Sequence, residues 1–324
     1  MQTAPSICHP EPRVDPIHRA DLSVQAQRPW STIDGGWGTL AVHATDRDAM
    51  TTTTTDDGLK LHLRHWPTGE AARGQVLICH GLGEHIERYA HVAATLNAAG
   101  WDAHGWDHRG HGHSEGRKGD IPEHDALLRD TARVIDAVRQ PGRHFVLLGH
   151  SMGGLIAARF AAEALTSKPA AWSRPLDGLV LSSPALDPGL SSLQKALLAV
   201  ASALFPGLAV SNGLKPEWIS RDSTIVKAYA SDPLVHDRIT ARLTRFIVDG
   251  GARAIGDAPH WKLPTLLMWA GADRCVAPRG SEAFAAAAPA NVVATKPWPG
   301  LFHEIFNEPE KVQVLATLTD WLNR

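Results

Sequence analysis

Residues 145–154 read Phe-Val-Leu-Leu-Gly-His-Ser-Met-Gly-Gly and continue as Leu-Ile-Ala-Ala-Arg-Phe-Ala-Ala to residue 162. The opening apolar run is too short for a helix and breaks at Gly149, while a helical pattern begins near Met152, so Ser151 falls in the turn between strand and helix. Gly149 and Gly153 stand two residues to either side of it. In so tight a turn a side chain at either position would strike neighbouring backbone, and the hydroxyl between them stays exposed. This is the pattern of a nucleophile elbow, and it requires an acid and a base further along the chain.

From residue 59 onward, strand patterns alternate with helical ones. Residues 59–66 alternate apolar and polar, as in an edge strand with one solvated face, after an Asp57-Gly58 turn signal. Residues 74–79 read as a buried strand, 89–99 as a helix stopped by Gly100, 101–106 as a strand and 126–139 as an amphipathic helix ended by Pro141-Gly142. Residues 176–182, 264–269 and 292–297 supply later strands, and 310–322 a closing helix. Strands separated by helices predict an α/β fold with a mostly parallel central sheet covered on both faces. The alternation lapses between residues 186 and 257, where Leu190, Leu193, Leu197, Leu198, Ala201, Leu204 and Phe205 recur at helical spacing. The expected organisation is an irregular extension over 1–49, a core over 50–187, a small helical cap over 188–257 and the rest of the core over 258–324. Met50 is a candidate start. The apolar stripe of the cap is expected to bury against the core, and it also allows a transient membrane-surface contact.

A serine hydroxyl needs a general base, usually histidine, held in the right tautomer by a carboxylate. In a sheet of this kind the partners follow in the order Ser, Asp or Glu, His. Asp273 lies in the loop after the 264–269 strand, and His303 in the loop between the 292–297 strand and the last helix. Both positions are at strand C-terminal ends, where sites of open α/β sheets form. Asp187, after the 176–182 strand, is the rival for the acid. The oxyanion of a tetrahedral intermediate needs two backbone N–H donors. Met152, directly after the serine, and Leu82, in the His80-Gly81-Leu82-Gly83 loop after the 74–79 strand, are the candidates. That loop lacks the third glycine and the Lys-Ser/Thr pair of a phosphate cradle. The His- and Asp-rich run 102–114 could suggest a metal, but its interleaved glycines favour a tight turn over a rigid ligand array. No metal or organic cofactor is expected.

Composition excludes other classes. A net charge of -2 without a basic block gives no footprint for nucleic acid. Cys8, Cys79 and Cys275 are too few and too scattered for a disulfide framework or a zinc site, which favours a cytoplasmic location. No signal peptide is visible, and no run reaches the roughly 18 apolar residues of a membrane span.

Taken together, the motifs resemble the monoacylglycerol lipase and lysophospholipase group of the α/β-hydrolase superfamily. His-Gly-Leu-Gly-Glu-His at 80–85 with Arg88-Tyr89 resembles its oxyanion segment, 107–116 its D-x-R-G-H-G-x-S-x-G turn and 149–154 its elbow. Ser220-Arg221-Asp222 with residues 229–234 is similar to its cap segment, and 271–274 to its acid loop. The resemblance implies Ser151, Asp273 and His303 as the triad and Leu82 and Met152 as oxyanion donors. It also implies that Glu84, Arg88 and Tyr229 surround the polar head of a lipid ester, with monoacylglycerol as the substrate. Lysophospholipase or short-chain carboxylesterase activity is the alternative; peptidase, acyltransferase and non-catalytic binding roles remain open.

Overall fold

The apolar runs form the interior of an eight-stranded sheet. In this computed structural model, which describes residues 51–69 and 71–324, the first strands are β1 (Thr51–Thr54), β2 (Lys60–Trp66), β3 (Gly74–Cys79), β4 (Trp101–Trp106), β5 (His144–His150) and β6 (Gly178–Ser182). A short antiparallel pair, β7 (Ala209–Ser211) and β8 (Arg238–Thr240), lies in the insertion before β9 (Thr265–Ala270) and β10 (Val293–Trp298). The helices are α1 (Ala90–Ala98), α2 (Ala126–Val138), α3 (Met152–Glu163), α4 (Ser192–Leu204), α5 (Ser223–Ser231), α6 (Ala241–Asp257), α7 (Pro278–Ala287) and α8 (Lys311–Leu322). The sheet order is β1-β2-β4-β3-β5-β6-β9-β10. Strands β4 to β10 of this sheet run parallel, and β2 is antiparallel to both neighbours. The extension expected over 1–49 and the start at Met50 lie outside the described residues.

Burial on both faces explains why the central strands read as continuous apolar runs. Leu77, Leu147 and Leu267 point to one face, where α2, α3, α6 and α7 cover them. Their neighbours Val76, Ile78, Leu148, Leu266 and Met268 point to the other, under α1 and α8.

Three expectations are corrected. The strand at 59–66 is not at the edge, because β1 pairs outside it; four consecutive threonines, β-branched and suited to a pleated surface, form that outer strand. His62, expected on a solvated face, is buried 5.3 Å from the His113 ring. The stripe of α4 does not bury against the core. No residue of α4 is buried, and Leu193, Leu197, Val200 and Leu204 are 57–70% exposed, because α4 lies outside α6 rather than on the sheet. Its start is secured by a capping box between Ser191 and Gln194.

The 188–257 stretch is also less uniform than a cap. Leu243, Phe246, Ile247 and Ala254 of α6 join the same apolar cluster as α3. A Cβ on Gly251 would stand 2.1 Å from the Leu186 carbonyl oxygen, so that close approach needs glycine. The ribbon strand β8 is tied down as well, with the Thr240 amide donating to Gly119 O at 2.9 Å and its hydroxyl to Asp120 at 3.1 Å.

Candidate active site

Parallel pairing brings the C-terminal ends of β3, β5, β9 and β10 to one edge, with Cys79 opposite Gly149 and Trp298 opposite Ala270. The loops that follow carry Leu82, Ser151, Asp273 and His303. Ser151 has φ 54° and ψ -120°, outside the usual regions for a residue with a side chain. Its backbone is held from three sides: its amide donates to Ser182 O at 3.0 Å, and its carbonyl accepts from Ala185 and Leu155 at 2.9 and 3.0 Å. Such over-determination is what keeps a strained residue in place. The flanking glycines have no alternative. A Cβ on Gly149 would meet Gly153 O at 2.3 Å, and one on Gly153 would meet Cys79 O at 2.0 Å.

His303 Nε2 lies 2.8 Å from Ser151 Oγ, and its Nδ1 lies 2.7 Å from Asp273 Oδ2. A carboxylate only accepts, so Nδ1 carries the proton and Nε2 is free to accept from the serine hydroxyl. The other oxygen of Asp273 accepts from the amides of Cys275 and Val276 at 2.8 and 3.0 Å. Burial disfavours a charged imidazole, but the Asp273 charge and hydrogen bond, with Glu304 and Glu84 further off, outweigh it and raise His303 above its ordinary value. Asp187 is committed elsewhere. It accepts from Arg279 Nε at 2.6 Å and from Gly189 N at 2.7 Å.

The 80–85 loop that carries Leu82, the candidate oxyanion donor, packs directly on the serine, since a Cβ on Gly81 would lie 3.2 Å from Ser151 Cβ. Met152 opens α3, where a first-turn N–H has no partner within the helix. Glu84 shapes the loop from beneath: its carboxylate accepts from Gly81 N at 2.6 Å, from the Tyr89 hydroxyl at 2.7 Å and from Arg88. Burial pushes Glu84 up, but Arg88 and these bonds hold its carboxyl below the usual range. The turn at 107–116 props the loop. Asp107 spends both carboxylate oxygens on backbone amides, of Ile86 and His113, each at 2.8 Å. His80 accepts from His108 N at 3.0 Å through Nε2 and donates through Nδ1 to Gly81 O at 2.8 Å, a neutral tautomer. Burial pushes its imidazole well down.

Arg88 differs from expectation. Its guanidinium is 11% exposed, forks onto both oxygens of Glu304 at 2.7 Å and also binds Glu84, and it covers the Tyr229 ring at 4.8 Å. It supports the wall of the site, whereas Glu84 and Tyr229 line a cavity of about 540 Å³ with Leu82, Ser151 and His303. Glu304, His150 and Cys275 also line it and were not singled out from the sequence. Only the position of Glu304 directly after His303 could have flagged it. His150, pushed down to about 4 by burial and by His303, stays neutral beside the serine.

Among the described residues outside this site, His65, Asp102 and His104 come close enough to suggest a metal. Gln75 argues against it. Its amide accepts from Gln140 N, donates to Val138 O, and gives its second N–H to His104 Nε2, which places the His104 proton on Nδ1. That leaves the ring no lone pair for an ion.

Comparison with known proteins gives the family and the fold. A family profile described as serine aminopeptidase, S33, matches residues 70–310. A monoacylglycerol lipase of Mycolicibacterium smegmatis is 34% identical over 270 residues, covering 82% of this chain and 93% of the relative. An uncharacterized abhydrolase domain-containing protein of Dictyostelium discoideum is 30% identical over 83% of this chain, which spans 28% of that longer protein. The crystal structure of Paleococcus ferrophilus monoacylglycerol lipase superposes with a TM-score of 0.71 at 35% identity, over 81% of this chain and 98% of the other.

Proposed function

The chain belongs to the monoacylglycerol-lipase-like family of α/β-hydrolases, carboxylic ester hydrolases, and from that premise we propose that it cleaves monoacylglycerol to glycerol and fatty acid at Ser151. The observation that carries this reading is the hydrogen-bonded chain Ser151–His303–Asp273, whose serine and histidine line the cavity shared with Glu84 and Tyr229. Ser151 Oγ attacks the ester carbonyl while His303 Nε2 takes its proton and Asp273 stabilises the imidazolium. The Leu82 and Met152 amides donate to the oxyanion. Collapse expels the glycerol oxygen, which takes the proton from Nε2, and water then repeats the sequence on the acyl-enzyme. Glu84 and Tyr229 contact the glycerol hydroxyls, and Arg88 acts through them. The reaction as written draws on no metal or organic cofactor.

The test is release of glycerol and fatty acid from a monoacylglycerol, beside a lysophospholipid, a short p-nitrophenyl ester and an aminoacyl amide. Preference for the monoacylglycerol supports the proposal. Turnover of the short ester alone removes the lipase assignment, and amide cleavage alone moves the function to a peptidase. The pH profile is a second check. The base must be neutral to act, so kcat/KM rises with pH through the His303 ionisation, and the midpoint of that acid limb should lie above 6.5, the ordinary histidine value. A midpoint at or below 6.5 would count against His303 as an Asp273-paired base.

The outward face of α4, continued by Phe205 and Leu208, supports transient contact of the cap with a lipid surface. Among the described residues no helix is long and apolar enough to cross a membrane. Replacing Leu193 and Leu197 with Ser should reduce sedimentation with vesicles and hydrolysis of dispersed monoacylglycerol, and leave turnover of a soluble ester unchanged. Equal loss on both substrates would sink the surface role. We place the enzyme in the cytoplasm on its cysteine usage.

A further inference from the structure

Glu308 follows the His303 loop and is 1% exposed. It does not cap α8, whose N-cap is Glu310. Its carboxylate turns instead to the cap. Oε1 accepts from the Ser220 hydroxyl at 2.8 Å and from Arg221 N at 2.6 Å; Oε2 accepts from Arg221 Nε at 2.5 Å and from Phe302 N at 2.9 Å. A charge buried this deeply is tolerated only with such a complete set of donors. On the other side of the histidine, Glu304 N donates to Ile219 O at 2.8 Å. Both peptide neighbours of His303 are therefore bound to one cap segment, residues 219–221, on one side directly and on the other through Glu308. The same segment shapes the substrate cavity. Ile219 lines it, and α5, which starts just beyond Arg221 at its N-cap Asp222, carries Tyr229.

We propose that Glu308 is a positioning residue for the His303 imidazole, the link through which the cap holds that ring in line with Ser151 and Asp273. It rests on the reading of His303 as the base. The ring must meet Oγ at 2.8 Å and Oδ2 at 2.7 Å together, and reactions of this kind lose rate steeply with small misplacements. The titratable groups that face the imidazole are Asp273 and the Cys275 thiol from the loop after β9, Glu84 from the loop after β3, His150 from the end of β5, and Glu304 from its own loop. With the brace gone, the ring draws away from Asp273 while remaining buried, so its ionisation moves to lower pH.

The experiment measures kcat and KM for a soluble p-nitrophenyl ester against pH in Glu308→Gln and Arg221→Gln, with wild type and Ser151→Ala as references. In Glu308→Gln, kcat is expected to fall roughly 10- to 100-fold with KM within about twofold, and the acid limb of kcat/KM to move down in pH. Arg221→Gln, at a half-exposed position, should move both in the same direction by less, and it carries the test if Glu308→Gln does not fold. An unchanged kcat and acid limb in folded variants would overturn the positioning role, as would activity lost only in step with the unfolded fraction. Full activity in Ser151→Ala, or no histidine-range limb in wild type, would overturn the triad reading and this proposal together.

Discussion

Ser151→Gly is expected to be inert toward esters and more stable than Ser151→Ala, the reverse of the usual order of these residues. Both changes remove the Oγ that His303 faces, and loss of a triad nucleophile costs on the order of 10⁶ in kcat. They differ in the backbone. At φ 54° and ψ -120° an alanine keeps the Cβ that makes the conformation unfavourable, a strain of about 1–3 kcal/mol, whereas glycine adopts it freely. Glycine's extra unfolded-state entropy costs about 0.5–1 kcal/mol, which leaves a margin of about 1 kcal/mol in its favour. Paired thermal or urea unfolding of the two variants reads that margin directly. An alanine variant more stable than the glycine variant by about 0.5–1 kcal/mol would mean that the elbow stores no strain.

Arg88→Met should produce the largest loss of stability. The guanidinium lies between Glu84 and Glu304, whose side chains are 5% and 6% exposed. Without it two buried carboxylates face each other unpaired, and breaking a buried pair in this way costs about 3–5 kcal/mol. The pH dependence follows from the sign of the shift. In the variant, burial without the Arg88 charge raises the folded-state Glu84 carboxyl above the ordinary 4.5, so its protonation restores stability as pH falls and the deficit is largest at neutral pH. Unfolding of wild type and variant at pH 5 and pH 7.5 checks this: a deficit that does not shrink at the lower pH would exclude unpaired carboxylates as its cause. Adding Glu304→Gln should recover part of the loss at neutral pH.

The candidate triad was legible because each member stands just past a predicted strand, an apolar run buried on both faces for Ser151 and Asp273, although the edge strand β10 before His303 is mostly exposed. Order along the chain admits both Asp187 and Asp273, and only the resemblance of residues 271–274 to an acid loop favoured the second; in the fold Asp187 is bound to Arg279 while Asp273 meets His303. Arg88 was legible only as a polar residue near the site. Its partner Glu304 is 216 residues away, and no local pattern reports which carboxylate a folded chain will bring to a guanidinium. The facing of α4 was hidden for a related reason. An apolar stripe records that a helix has two faces, and the side that finds a neighbour is set by what α6 already covers. The threonine strand β1 was missed because its register depends on β2, not on any alternation of its own.

The division of labour within the insertion bears on how such an enzyme can change. Because α6 is shared with the core and β8 is tied to Gly119 and Asp120, while residues 219–221 are bound through Glu308, the stretch from 188 to about 210 is the part least entangled with the machinery. It behaves as an exchangeable module. Variation there can alter the exposed apolar face of α4 without touching any residue that lines the cavity.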